Sequence, residues 1–257
     1  MKTLRDRWRV AAQRCTAGSL IATAVAAVAP SHGQGEPRRG AAAPEPITLA
    51  APRTDGPMPL DAALQQRRSL RSFAATPLTR AELSQLLWAA QGRSSADGRR
   101  TVPSAGATYP LELIVLAAAA EAVPAGWYRY AAGEHRLLPQ RAGDSRAELA
   151  AAAVNQVWLR DAPVVIVVAA KAARTAARYG ARADRYVAIE AGAAAQNLQL
   201  QAVALGLGST LVGAFDDAAV RRVAELASDE QPLLIVPIGR PAAQTSALPR
   251  VCRDTTR

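Results

Sequence analysis

The stretch from Arg182 to Leu205 constrains the fold more than any other. Its spacing predicts one long helix, yet no polar face runs along it. Ala191-Gly-Ala-Ala-Ala195, Leu198, Leu200 and Val203 leave it mostly small and apolar on all sides. A helix of that kind has to be buried, either in a core or at a subunit interface. Its small side chains let a neighbour approach closely, and Gly206 and Gly208 end it. The chain has 257 residues, half of them apolar, which is enough for one sizeable core or two small ones.

The other elements are mixed. Leu60–Gln66 reads as a short helix. Thr79 with Glu82 three residues later forms a capping box that opens a helix over 80–91, where Leu83, Leu86, Leu87 and Ala90 recur at helical spacing before Gly92. A strand is expected at 111–120. A hairpin of 126–130 and 135–140 turns at Ala132-Gly133. Asp144 caps a helix running to about Leu159. A buried strand spans 162–170, with Val164-Val-Ile-Val-Val168. Residues 207–215 read as a strand into a turn, 216–226 as a helix, and 232–239, with Leu233-Leu-Ile-Val236, as the last strand. Strands and helices do not alternate strictly, which favours an α+β sandwich.

The formal net charge is +10, and the first 39 residues hold half of it: seven basic groups against Asp6 and Glu36. Without a basic helix face or a basic–aromatic repeat, the remaining excess does not indicate nucleic-acid binding. A basic start, an apolar run from Thr16 to Ala29 and a turn at Pro30–Gly33 are laid out like a secretory signal peptide over 1–33, so an exported protein, periplasmic or secreted, is expected, with a cytoplasmic location the alternative. The run is too short for a membrane span, which needs about 20 residues. Residues 34–59, rich in Pro, Gly and Ala, read as a linker, 60–250 as the folded domain and 251–257 as a tail. Cys15 and Cys252 lie near opposite ends and His32 and His135 are isolated, so no metal site or cysteine–histidine catalyst is expected.

Two short stretches carry chemistry. In Arg67-Arg68-Ser69-Leu70-Arg71-Ser72-Phe73, three arginines and a serine fall within five residues, and Leu70 and Phe73 can anchor the backbone beneath them. Planar guanidinium forks suit phosphate and the oxygen edge of a planar ring. In Val102-Pro-Ser-Ala-Gly-Ala-Thr-Tyr-Pro110, prolines stiffen both ends of a small-residue centre that lets a ligand approach the backbone. A tight turn without a ligand is the plainer alternative.

Taken with Leu211-Val-Gly-Ala-Phe-Asp216, Val236-Pro-Ile-Gly-Arg-Pro241 and the Leu-Leu-Trp-Ala-Ala-Gln-Gly ending of the 80–91 helix, these stretches resemble the nitroreductase-like flavoprotein family, and within it the SagB-type dehydrogenase branch, which includes azoline oxidases. The resemblance runs from about Leu60 to Arg250. It implies an α+β nitroreductase-like sandwich, a central mixed or antiparallel sheet flanked by helices, with the long helix buried at the core of a homodimer and FMN at the subunit interface. By the same resemblance Arg67, Arg68, Ser69 and Arg71 hold the FMN phosphate and the N1/O2 edge. Pro103, Ser104, Ala105 and Gly106 reach the flavin from the partner subunit. Asn155 or Gln156 meets the pyrimidine edge, and Gly213 and Ala214 offer backbone to N5 and O4. Arg240 or Arg250 completes the phosphate site.

The activity so implied is an FMN-dependent oxidoreductase that moves hydride through flavin N5 by a ping-pong mechanism, with NAD(P)H as a candidate donor and a small-molecule substrate. Such an enzyme needs fixed cations near N1–C2=O but no nucleophile or metal. Where azoline oxidases of the branch carry a Lys-Tyr pair, this chain has Arg178-Tyr179. Arginine does not readily accept a proton near neutral pH, which puts azoline oxidation in doubt. Tyr179 and Arg178 remain the catalytic candidates. A flavin-binding module that kept the fold and lost the reaction is the alternative.

Overall fold

The computed structural model describes residues 45–243. In chain order the elements are β1 (Ile47–Thr48), α1 (Leu60–Gln66), α2 (Arg80–Gln91), β2 (Leu111–Ala117), β3 (Gly126–Ala131), β4 (Arg136–Ala142), α3 (Arg146–Ala152), β5 (Val164–Ala170), α4 (Ala172–Tyr179), α5 (Ala183–Ala204), β6 (Gly208–Ser209), α6 (Asp217–Val223) and β7 (Gln231–Gly239). The seven strands form one sheet in the order β1-β4-β3-β2-β5-β7-β6, and every named pair is antiparallel.

The sheet is covered on both faces, which is why its central strands read as continuous apolar runs. Along β5, Val164, Ile166 and Val168 join Leu83, Leu86 and Leu87 of α2 and Val187, Ala194 and Leu198 of α5 in one core. The alternate residues Val165 and Val167 face Leu149 of α3, Val220 of α6 and Trp127 in the other. The α2 capping box forms as read: Thr79 Oγ1 accepts the Glu82 N–H, and Glu82 accepts the Thr79 N–H.

The long helix is 22 residues. Ala183, Val187, Ala191, Ala194, Leu198 and Ala202 recur every three or four positions and are buried. Within one chain, however, burial is one-sided: Ala188, Ile189 and Gly192 face outward, and Ile189 is 63% exposed. The outward stripe is still apolar, so of the two expected forms of burial the single chain supplies the core on one face only.

Four further expectations change. The fold starts before Leu60. Part of the stretch read as linker supplies β1, which pairs with β4, while the Ala50 carbonyl accepts from Ser84 Oγ at 2.6 Å and Gln85 bonds both ways to the Arg53 backbone. The helix from Asp144 stops at Ala152, because Val154 and Asn155 adopt left-handed φ of 55°. The strand expected over 207–215 shortens to Gly208–Ser209. Helix α4, missed in the sequence, packs beside α5. The signal-peptide stretch, Cys15, Cys252, Arg250 and the tail lie outside the described residues. Among those residues no helix is long and apolar enough to cross a membrane, and no cluster of three potential metal ligands occurs.

Candidate active site

The arginine stretch leaves α1 as an extended segment along the end of the sheet. Ser69 bridges Ser209 of β6, the Leu70 N–H donates to the Ser209 carbonyl at 3.0 Å, and Phe73 bridges Pro241 just past β7. Leu70 sits directly on Gly208; a Cβ there would lie 2.3 Å from Leu70 Cδ2. Leu70 and buried Phe73 therefore anchor the backbone, while Arg68, Ser69 and Arg71 are exposed and Arg67 is half-buried. Arg68 curls back onto the Gln65 and Arg67 carbonyls. Among the described residues no carboxylate pairs with Arg67, Arg68 or Arg71.

Three cations without counter-charges stand beside the turn after β6. The Arg71 guanidinium lies 5.8 Å from the centre of the Trp158 ring. Two residues before Trp158, Gln156 donates its Nε2–H to the Ala214 carbonyl at 3.0 Å. Gly213 and Ala214 are exposed. So Ser69 is tied to β6 at Ser209, Arg71 meets Trp158, which the sequence reading missed, and Gln156 meets Ala214 beside Gly213; Arg67 and Arg68 lie in the same stretch, with Arg68 turned onto its own backbone. Asn155 is exposed, and of the two candidates at that position Gln156 is the one that touches the turn.

Arg240, a candidate for the phosphate site, is paired in this structure. Its guanidinium donates to Glu82 at 2.8 Å and holds the start of α2 to the end of β7.

The second stretch forms its own group with Arg178 and Tyr179. Ser104–Tyr109 is a tight loop in which Gly106, Ala107 and Tyr109 have φ of 59°, 54° and 45°. Left-handed non-glycine residues cost about 1–3 kcal/mol each and persist only where surroundings hold them. Here α4 does the holding. Arg174 Nη1 donates to the Tyr109 carbonyl at 2.9 Å, Thr175 and Thr108 hydroxyls meet at 2.9 Å, and Arg178 Nη1 donates to the Gly106 carbonyl at 3.3 Å. The Tyr179 ring packs edge-on against Tyr186 at 4.9 Å. Ser104 Oγ accepts the Tyr109 N–H at 2.9 Å, closing the loop from inside. Arg174 and Thr175 were not foreseen; the Arg174/Arg178 spacing of four is the signal that would have placed both on one helical face.

Hydrogen bonds tie residues within each group, and among the described residues none joins the arginine group to the Ser104–Tyr109 loop. Near the loop lies a cavity of about 280 Å³ walled by Arg100, Glu112, Arg129 and Arg174. Arg129 pairs with Glu230 at 2.8 Å and Arg174 with Glu112 at 2.7 Å, whereas Arg100 donates to the Gln91 amide oxygen and stacks on the Tyr109 ring. The ion pairs join β2, β3 and α4.

The fold is an antiparallel sheet between helical layers, with an exposed arginine stretch and an exposed glycine turn near one end of it. The chain belongs to the nitroreductase family, whose model, described as "Nitroreductase family", matches residues 64–240. A Methanocaldococcus jannaschii protein named as a nitroreductase is 44% identical over 184 residues, covering 70% of this chain and 90% of that protein. The structure of a protein likewise named, from Ralstonia eutropha JMP134, superposes with a TM-score of 0.69 at 34% identity, over 77% of this chain and 90% of that one. The Escherichia coli microcin synthetase McbBCD complex has the same fold, with a TM-score of 0.61 at 21% identity over 76% of this chain and 78% of that one.

Proposed function

We propose that this oxidoreductase binds FMN between two copies of the chain and works by a ping-pong cycle, with NAD(P)H as a candidate donor and small quinones or nitroaromatics as acceptors. The observation that carries the reading is the arginine stretch: three guanidinium groups that, among the described residues, have no carboxylate partner, on a segment bridged to β6. That donor set fits a flavin mononucleotide, since a phosphate dianion and the electron-rich ring edge both call for fixed cations.

When bound, FMN supplies hydride transfer at N5. The residues of the chain do the rest. Arg67, Arg68 and Arg71 neutralise phosphate and ring-edge charge. Gln156, fixed by the Ala214 carbonyl, orients the turn that carries Gly213. The open space around Gly213, where a Cβ would meet nothing within 4 Å, leaves room for an acceptor. The Ser104–Gly106 loop completes the site of the partner copy, and the apolar outward stripe of α5 supports pairing of the two copies. Tyr179, beside Gly106, is placed to give a proton to the substrate, while Arg178 fixes the loop through the Gly106 carbonyl.

Membership of the SagB-type branch rests on the motif order; the Arg178-Tyr179 pair argues against azoline oxidation within it. The basic and apolar leader supports export, which sequencing of the mature N-terminus tests. The flavin reading is tested by the absorption spectrum of the purified protein before and after NADH or NADPH without oxygen. Flavin bands that bleach support it. Bands that no donor bleaches favour a flavin-binding protein without the reaction. No bands after FMN is added would rule out the arginine cluster as a flavin clamp.

A further inference from the structure

The cavity of about 280 Å³ near the Ser104–Tyr109 loop is lined by the end of α2, the start of β2, Arg174 of α4 and the turn between β3 and β4. Gly133, Glu134 and Arg174 in its wall are exposed, while Gln91, Leu111 and Leu113 are buried. Most of the charge around it is paired. Glu112 accepts from Arg129 at 3.1 Å and from Arg174 at 2.7 Å, Glu230 accepts from Arg129 at 2.8 Å, and Glu134 pairs with Arg136 at 3.4 Å. Lys171 reaches Asp229 at 3.2 Å.

Arg100 is the exception. Among the described residues no carboxylate pairs with it. Burial lowers its pKa from the ordinary arginine value, and the negative charge of Glu112 and Glu190 offsets only part of that. An arginine nevertheless keeps its proton. Its Nη1 donates to Gln91 Oε1 at 2.7 Å, and its guanidinium lies 4.4 Å from the centre of the Tyr109 ring, so the Nε and Nη2 hydrogens are left to give. Gln91 is 1% exposed, and its Nε2 is buried without a hydrogen-bond partner. Leaving such a donor unused is costly. The wall of the cavity thus holds one unmatched positive charge and, next to it, one unused buried amide.

We propose that this cavity binds a small monocarboxylate, whose carboxylate accepts from Arg100 and from the Gln91 amide while its apolar body lies against Leu111, Leu113 and Leu138. Three features select that class. A single unmatched cation calls for a monoanion rather than a phosphate dianion. Two oxygens in one plane suit a guanidinium edge beside an amide. The volume lies just under the range of drug-sized pockets, about 300–1,000 Å³, so the ligand is small. None of these residues is among those assigned to the flavin, and the site stands whether or not FMN binds.

The test titrates benzoate into the full chain, first free of FMN and then with FMN in excess, by calorimetry and by NMR of the Gln91 side-chain amide. Expected is saturable one-to-one binding, equal within about threefold in the two conditions, with a shift of the Gln91 amide resonance. Benzamide, neutral and of nearly the same shape, should bind at least about tenfold more weakly, and Arg100→Gln should weaken benzoate by a similar factor. Absence of saturable binding overturns the proposal, as does unchanged benzoate affinity in Arg100→Gln. Benzoate that FMN displaces, or that Arg71→Ala no longer binds, belongs to the arginine stretch and overturns it too. Where Arg100→Gln does not fold, the wild-type chain decides: binding that leaves the Gln91 resonance unmoved, or that does not favour benzoate over benzamide, overturns the proposal.

Discussion

The Tyr179 hydroxyl occupies the space that a side chain at position 106 would need: a Cβ on Gly106 would lie 2.7 Å from it, with Arg178 Cδ at 2.9 Å. Gly106 also has φ of 59°, a conformation that costs an L-residue about 1–2 kcal/mol. The Tyr179 ring is held by Tyr186 and cannot simply turn away. Gly106→Ala is therefore expected to displace the loop and weaken FMN binding about tenfold, while the core stays folded. Flavin fluorescence titration checks this; unchanged affinity would separate the loop from the cofactor.

Arg71 and Arg240 should behave differently, although both were candidates for the phosphate. Arg71→Ala removes an unpaired cation, and FMN affinity should fall by about tenfold to a hundredfold, the range of a charged hydrogen bond. Riboflavin, which lacks the phosphate, should lose much less. Arg240→Ala breaks the pair with Glu82 and should leave FMN affinity within about threefold. It should cost roughly 1 kcal/mol of stability, modest because that pair is partly exposed. Parallel titrations with FMN and riboflavin and a thermal melt distinguish the two residues.

Tyr179→Phe keeps the ring against Tyr186 and removes only the hydroxyl. If the hydroxyl gives a proton in the reaction, turnover with a quinone or nitroaromatic should drop about a hundredfold with FMN affinity unchanged. A loss of affinity with turnover preserved would assign the residue to packing alone. Steady-state kinetics on FMN-saturated protein decides between them.

His135 links stability to pH. Its contacts fit a neutral ring with the proton on Nε2, donating to the Ala50 carbonyl at 3.0 Å, and Nδ1 accepting from the Tyr130 hydroxyl at 2.7 Å. Burial lowers its pKa, and the Ala50 hydrogen bond opposes this in part. The unfolded chain therefore takes up the proton first. Stability should begin to fall as pH drops below the ordinary value of 6.5 and keep falling until the folded pKa is passed. His135→Gln should flatten that part of a Tm-against-pH curve; a curve with the wild-type slope would place the effect elsewhere.

Much of this was legible in local sequence. The capping box at Thr79–Glu82 forms because both partners lie within one turn, and the helix bounds at Leu60, Gln91 and Arg182–Leu205 follow from periodicity and glycine. The arginine stretch displays its anchors, Leu70 and Phe73, at fixed offsets from its charges. Other features were not visible. The pairing of Arg240 with Glu82, 158 positions away, has no local signal. Helix α4 is only eight residues long and rich in Ala and Arg; its period, Arg174 and Arg178 four apart, is short enough to have been passed over. Val154 and Asn155 end α3 through left-handed backbone that no glycine announced.

The sequence by itself determined that the chain is α+β, that it carries an arginine-rich stretch and a small-residue loop, and that their order matches one family. Those properties reside in short windows, where spacing and residue chemistry act locally. Only the tertiary structure decided that Arg240 meets Glu82, that Gln156 meets Ala214, and that Arg174 meets the Tyr109 carbonyl. Each of these depends on distance between residues far apart in the chain. Distance in turn decides whether a charge is compensated and whether a buried donor finds its acceptor.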